Sequence, residues 1–232
     1  MQLQLGKITA IHGDCMDYMK SLPDNAYDLA IVDPPYFDGP NKRRYYGSKI
    51  NKLNIERRDY PIIKDWQVPE QEYFNELKRV SKNQIIWGIN YYNIKNLGSG
   101  RIIWDKVNGE SSFSDCEIAY CSLHGSVRLF RYMWNGMLQG KNIKDGHLMQ
   151  GNKSLNEVRI HPTQKPINLY KWMLTNYAKP GMKILDTHGG SFSHAIACHN
   201  LDFELTIIEK DKDCFDAAVK RLKWHQQQLK LF

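Results

Sequence analysis

Cysteine pairs are missing from this chain: Cys15, Cys116, Cys121, Cys198 and Cys214 form no Cys-x-x-Cys motif. Their odd number and wide scatter argue against a disulfide framework and against a cysteine zinc site, leaving reduced, mostly buried thiols as the expectation. Eight histidines are present, yet none falls in a His-Glu-x-x-His array, so no metal is expected. No apolar run approaches the roughly 18 residues of a membrane span. The opening Met1-Gln2-Leu3-Gln4-Leu5 has neither the basic nor the apolar region of a signal peptide. A cytoplasmic protein with no membrane partner is therefore expected. Internal repeats, low-complexity tracts and the Gly-x-Gly-x-x-Gly spacing of a dinucleotide site are absent as well.

The chain does have a surplus of positive charge. Thirty-two Lys and Arg stand against 25 Asp and Glu, a net +7 that is compatible with a polyanionic partner. Its 232 residues suffice for one full core, so a single domain spanning 1–232 is expected. Strand-like segments at Ile8–His12, Tyr27–Asp33, Gln84–Trp87, Arg101–Trp104, Glu117–Cys121, Val127–Tyr132, Lys183–Asp186 and Glu204–Glu209 alternate with helical periodicity. The helices fall from 14 to about Leu22, over Glu70–Val80, from about Pro166 to Tyr177 with Thr163 as its cap, over Ser193–His199 and over Cys214–Gln227. Such alternation predicts an α/β fold with a mostly parallel sheet covered by helices on both faces. Two stretches lack periodicity. Residues 38–62 form a basic loop carrying Lys42, Arg43, Arg44 and interleaved tyrosines, and residues 133–158 form a glycine- and lysine-containing insertion with Lys141, Lys144 and Lys153.

Asp33-Pro34-Pro35-Tyr36 follows the apolar run Leu29-Ala30-Ile31-Val32 and so lies at a strand's carboxyl end, the edge where open α/β sheets bind ligands. The prolines fix their own φ and remove two backbone donors. The Asp33 carboxylate and the Pro34 carbonyl remain as rigid acceptors beside the Tyr36 ring, a site suited to a planar group bearing NH2. Late in the chain, Lys183–Asp186 runs into Thr187-His188-Gly189-Gly190-Ser191 and a helix, and Glu209 ends the next strand 23 residues after Asp186. This is the layout of an adenosine half-site: glycines admit the ligand to the backbone and the acid holds ribose hydroxyls. Between them, His161-Pro162-Thr163-Gln164-Lys165-Pro166 stands at a helix start, where free amides and Lys165 would favour a carboxylate.

Together, in this order, the three pieces resemble the amino-methyltransferases that move a methyl group from S-adenosylmethionine to an exocyclic base nitrogen in DNA, specifically their circularly permuted beta class. The resemblance runs from Gly13-Asp14 to the last helix. It implies a Rossmann-like seven-stranded methyltransferase fold with a permuted motif order. It also implies a catalytic pocket of Asp33, Pro34, Pro35 and Tyr36 around a base flipped from the stack. The cofactor would be held by Asp14 near its adenine, by Glu209 at its ribose, by Asp186, His188, Gly189, Gly190 and Ser191 along its methionine part with Asp33 adjoining, and by Thr163 and Lys165 at its carboxylate end. Thr187-His188 departs from the proline and phenylalanine usual in that glycine motif. Asp in the first position of Asp33-Pro34-Pro35-Tyr36 goes more often with adenine than with the cytosine amine. The absence of a Pro-Cys pair fits a direct transfer without a covalent enzyme intermediate.

DNA is accordingly the expected partner, contacted by Lys42, Arg43, Arg44, Lys141, Lys144 and Lys153, with residues 133–158 reading the bases of a short site. A homodimer and a cognate restriction endonuclease are compatible with this reading. So is the same chemistry on the cytosine amine or on RNA. A nucleotide-binding oxidoreductase would explain the glycine turn and Glu209 but would leave Asp33-Pro34-Pro35-Tyr36 without a task. A non-catalytic nucleic-acid-binding module would explain the charge alone.

Overall fold

A computed structural model describes residues 1–36, 66–109, 114–135 and 138–228. The elements in chain order are β1 (Gln2–Leu5), β2 (Ile8–His12), α1 (Cys15–Lys20), β3 (Tyr27–Val32), α2 (Gln71–Val80), β4 (Ser81–Trp87), β5 (Arg101–Asp105), β6 (Cys116–Cys121), β7 (Val127–Arg131), β8 (Trp134–Asn135), β9 (Leu138–Gln139), α3 (Ile167–Tyr177), β10 (Lys183–Asp186), α4 (Ser193–Leu201), β11 (Glu204–Glu209) and α5 (Lys212–Gln227). No helix among the described residues is long and apolar enough to cross a membrane. All five cysteines are free thiols.

One sheet organises the chain, in the order β1-β2-β11-β10-β3-β4-β6-β5-β7. Strands β2, β11, β10, β3 and β4 run parallel, β6 is antiparallel to both neighbours, and β7 is parallel to β5. The seven-stranded sheet of the expected fold is the run from β2 to β5. Two edge strands widen it to nine: β7, which the sequence pattern shows, and β1, which pairs antiparallel with β2 and lies outside the strand-like segments read from the sequence.

The central strands are buried on both faces, as parallel strands between helix layers must be. Leu29, Ala30, Ile31 and Val32 of β3 and Ile85, Ile86 and Trp87 of β4 are each at most 1% exposed. On one face of the sheet α2 lays down a stripe of Tyr73, Phe74, Leu77 and Val80 at helical spacing, packed with Met19, Ala30, Val32 and Ile86. The other core cluster joins α3, α4 and α5 through Leu169, Met173, Ile196, Phe215 and Leu222. Helix starts follow local chemistry. Asp14 caps α1 by accepting from the Met16 amide, and Asp211 caps α5 by accepting from the amides of Asp213 and Cys214.

Two expectations need correction. Thr163 does not cap α3: its hydroxyl contacts His161 Nδ1 at 3.1 Å, while Glu157 Oε1 accepts from the first helical amide, Ile167, at 2.9 Å. A carboxylate brought in from the preceding segment serves the helix end better than a side chain four residues upstream can reach. Residues 133–158 are also less detached than their lapse in periodicity predicts. They carry the β8–β9 ladder and a 3-10 turn at Lys153–Leu155. Buried Gln139 exchanges two hydrogen bonds with the Glu157 backbone, and Trp134 Nε1 donates to the Gln164 carbonyl at 2.8 Å. The basic loop at 38–62 lies outside the described residues.

Candidate active site

Parallel pairing puts the carboxyl ends of β2, β11, β10, β3 and β4 along one edge of the sheet, and this edge opens into a cavity of about 580 Å³. Gly13 and Asp14 reach it from β2, Asp33 through Tyr36 from β3, Thr187 through Ser191 from β10 and Glu209 from β11. His161 and Thr163 through Lys165 close it from the segment before α3, and Tyr73 reaches it from α2. The motifs at the two ends of the chain thus line a single space.

At the β10 turn, Gly189 and Gly190 serve different needs. A Cβ on Gly189 would lie 2.5 Å from the ring of buried Phe192, so that glycine is required by packing. Gly190 has φ +51°, which residues with a side chain rarely adopt, and a Cβ there would meet no protein atom within 4 Å, which leaves its flank open. Its amide donates to Glu209 Oε2 at 2.7 Å, and the Asp211 amide donates to Glu209 Oε1 at 2.8 Å. Burial nevertheless pushes the Glu209 carboxyl up to about 7. Asp186 stands behind the turn and does not line the cavity. Its Oδ1 accepts from the His188 amide at 3.0 Å and its Oδ2 contacts His194 Nδ1 at 2.9 Å, so it fixes the loop that the glycines shape. The Thr187 hydroxyl meets Tyr73 Oη at 2.6 Å and His188 Nδ1 at 2.9 Å. Burial lowers the His188 imidazole to about 4, and that of His161 likewise. Ser191 Oγ lies 3.1 Å from Ser193 Oγ at the start of α4. Asp14 is shared between capping α1 and an ion pair with Lys210 at 3.2 Å.

The β3 end holds the denser electrostatics. Lys165, its side chain 3% exposed, places Nζ 2.5 Å from Asp33 Oδ1 and 2.8 Å from Glu117 Oε2. Glu117 Oε1 in turn lies 2.5 Å from Lys106 Nζ. Asp33 Oδ1 and Glu117 Oε2 meet this ammonium as contact ion pairs. Two carboxylates that share one ammonium cannot both ionise freely, and Lys106 decides between them. Burial pushes the Glu117 carboxyl up, but Lys165 and Lys106 overcome it and hold the group down at about 2. Asp33, with burial first and the Glu117 charge adding to it against Lys165 alone, is pushed up to about 6. Lys165, which the resemblance places at the cofactor's carboxylate end, lines the cavity with its ammonium against Asp33.

Around these charges the backbone acceptors are pinned. Tyr92 Oη donates to the Pro34 carbonyl at 2.8 Å and to the Pro35 carbonyl at 3.0 Å. The Tyr36 ring stacks on Tyr91 at 4.9 Å between centroids and sits over Gly88, where any Cβ would come within 2.3 Å of it. Glu117, Lys106, Tyr92 and Tyr73 escape sequence reading because each lies in an ordinary strand, helix or turn far from the motifs it serves. Among the candidate phosphate contacts, Lys141, Lys144 and Lys153 are exposed on the 138–158 segment, and Lys42, Arg43 and Arg44 lie outside the described residues. No group of side chains able to hold a metal occurs among the described residues.

The architecture is that of the Rossmann-like methyltransferases. A family model described as DNA methylase, covering N6 and N4 enzymes, matches residues 131–220. The chain is 23% identical over 246 residues to the Type II methyltransferase M.HinfI of Haemophilus influenzae, covering 93% of this chain and 68% of that protein. It is 26% identical over 238 residues to the Type II methyltransferase M2.MboI of Moraxella bovis, covering 90% and 85%. The crystal structure of the M1.HpyAVI–SAM complex has the same fold at a TM-score of 0.54 and 20% identity, over 92% of this chain and 99% of that one.

Proposed function

We propose that this protein transfers a methyl group from S-adenosylmethionine to the exocyclic amino nitrogen of adenine in DNA, as a site-specific enzyme of the permuted beta class acting in the cytoplasm. The observation that carries the reading is the single cavity joining two acceptors at the end of β3 to an adenosine-type turn at the ends of β10 and β11. The relatives named as Type II methyltransferases and the fold shared with a SAM complex support it. A restriction endonuclease cutting the unmethylated site is the counterpart against which such an activity would protect.

The residues present fit the cofactor. A space of about 580 Å³ is of the size that holds a ligand of this class. Glu209 offers lone pairs beyond the two engaged by backbone amides, and the flank of Gly190 is open. Glu209 would hold the ribose, Asp14 would lie by the adenine, and Gly190, Ser191 and His188 would border the methionine part. When bound, the cofactor supplies an electrophilic methyl group on a positively charged sulfur.

An exocyclic amine is a poor nucleophile because its lone pair is delocalised into the ring. The Asp33 carboxylate and the free lone pair of the Pro34 carbonyl draw the two amine hydrogens toward tetrahedral geometry and localise that pair. Tyr36 offers a ring face to the extruded base. Holding the reactants in line supplies several kcal/mol of the barrier without a covalent enzyme intermediate. The charge surplus favours a nucleic acid, with Lys141, Lys144 and Lys153, and Lys42, Arg43 and Arg44, as phosphate contacts, and residues 133–158 reading a short site. Adenine is preferred on the aspartate of Asp33-Pro34-Pro35-Tyr36; the cytosine amine is the second reading, since the matched family spans both nitrogens. Incubation of a defined plasmid with the protein and cofactor, followed by sequencing sensitive to modified adenine and cytosine, tests this. Methyladenine at one recurring short sequence is the expected result. Methylcytosine would transfer the reading to the second base, and unmodified DNA would refute it.

A further inference from the structure

Lys165 meets its two carboxylates as contact ion pairs, so its donors are not all committed to them. An ammonium carries three N–H donors and no acceptor. Two of its neighbours are Asp33 Oδ1 at 2.5 Å and Glu117 Oε2 at 2.8 Å, while Lys106 on the far side of Glu117 keeps that carboxylate in place. Lys165 also lines the cavity, and its Nζ is 5.5 Å from the centroids of both Tyr36 and Trp87. The acceptor proposed for the target amine and a charged donor therefore stand side by side, next to the ring proposed to face the base.

Resting on the function proposed above, we infer that Asp33 and Lys165 form an acceptor–donor edge that selects an exocyclic amine adjacent to an unprotonated ring nitrogen. Asp33 takes the amine and Lys165 donates to the neighbouring nitrogen, N1 in adenine. The pairing has the sense of the Watson–Crick edge of adenine or cytosine. On the Watson–Crick edge it is mismatched to guanine, whose amine there adjoins N1–H, because an ammonium cannot accept; only N3, on the sugar side of the guanine amine, could take its donor. Such a bond also draws electron density into the ring, so it must position the base more than it activates it. Glu117 and Lys106 act here as positioning residues: they touch no substrate, and they hold Lys165 charged and directed between two carboxylates. Tyr36, Tyr92 and Tyr170 face the same ion pairs as neutral groups, and Asp186 contributes a further negative charge from the end of β10.

Duplexes carrying 1-deazaadenine or 7-deazaadenine at the methylated position test this with the full chain. The first replaces N1 by C–H and keeps the amine; the second keeps N1. Wild-type enzyme should lose about tenfold to a hundredfold in kcat/KM on the 1-deaza duplex, the size of one charge-assisted hydrogen bond, and little on the 7-deaza duplex. Lys165→Met should be slower on adenine and should no longer distinguish adenine from 1-deazaadenine. Equal wild-type rates on adenine and 1-deazaadenine, or full discrimination retained by Lys165→Met, would overturn the inference. Should Lys165→Met fail to fold, the wild-type comparison still decides, and Lys106→Met, changed at the far end of the ion-pair chain, should reduce the discrimination severalfold. Absence of discrimination by the wild-type enzyme with plasmid methylation intact removes this inference alone. Absence of methylation on every duplex removes the functional reading and this inference with it.

Discussion

Replacing Tyr92 by Phe removes one oxygen and, with it, two hydrogen bonds that no sequence pattern foretells. Tyr92 Oη is 2.8 Å from the Pro34 carbonyl and 3.0 Å from the Pro35 carbonyl, and it is the group that ties the Asp33-Pro34-Pro35-Tyr36 backbone to the turn after β4. Each bond contributes about 0.5–1.5 kcal/mol net, and a bifurcated pair less than twice that. The variant should lose about 1–2 kcal/mol of stability, lowering Tm by roughly 2–6 °C for a domain of this size. If the Pro34 carbonyl aligns the target amine, freeing it should also cost about twofold to tenfold in kcat. The cofactor's Kd, set on the β10–β11 side of the cavity, should be unchanged. Paired measurements of thermal unfolding, single-turnover methylation and cofactor calorimetry separate these effects. A variant with lower Tm and wild-type turnover would show that Tyr92 only packs, and would remove the Pro34 carbonyl from the proposed alignment of the amine.

Asp33→Ala should abolish methyl transfer and leave cofactor affinity within a few fold by calorimetry, because Asp33 is assigned to the amine; near wild-type turnover would sink that assignment. Glu209→Ala should weaken cofactor binding by about tenfold to a hundredfold, the worth of hydrogen bonds to a charged group, with DNA binding in the absence of cofactor little changed; unaltered affinity would place the ribose elsewhere. The Asp33 carboxyl, pushed up to about 6, is the stronger, charge-assisted acceptor for the amine when ionised, so single-turnover rates should rise with pH through about 6 and then level off; a rate independent of pH between 5 and 7 would contradict this. Replacing Lys42, Arg43 and Arg44 together by Ala should weaken DNA binding at all sequences alike and flatten its salt dependence by about 0.9 for each phosphate no longer neutralised. An unchanged slope would point instead to Lys141, Lys144 and Lys153.

Local chemistry in the sequence determined a good deal of this protein. Leu29-Ala30-Ile31-Val32 reads as a strand buried on both faces, and two prolines stop it, so the position of Asp33 at a strand end follows from residues in a row. The glycine turn and Glu209 follow in the same way, since adjacent glycines between a strand and a helix mark a turn, at which Gly190 takes its left-handed φ. The stripe of Tyr73, Phe74, Leu77 and Val80 declares a helix and its inner face. What the row cannot contain is pairing between distant segments. That β10 lies between β3 and β11, and so brings Asp33 and Glu209 to one cavity 176 positions apart in sequence, is decided by strand order. The same holds for the chain of charges Asp33, Lys165, Glu117 and Lys106, which four separate segments contribute. Sequence could assign Lys165 a positive charge at a helix start; only the packing of β6 beside β4 supplied the second carboxylate that turned it toward Asp33. Thr163 has no capping role for the same reason, because Glu157, free to approach through space, reaches the helix end first.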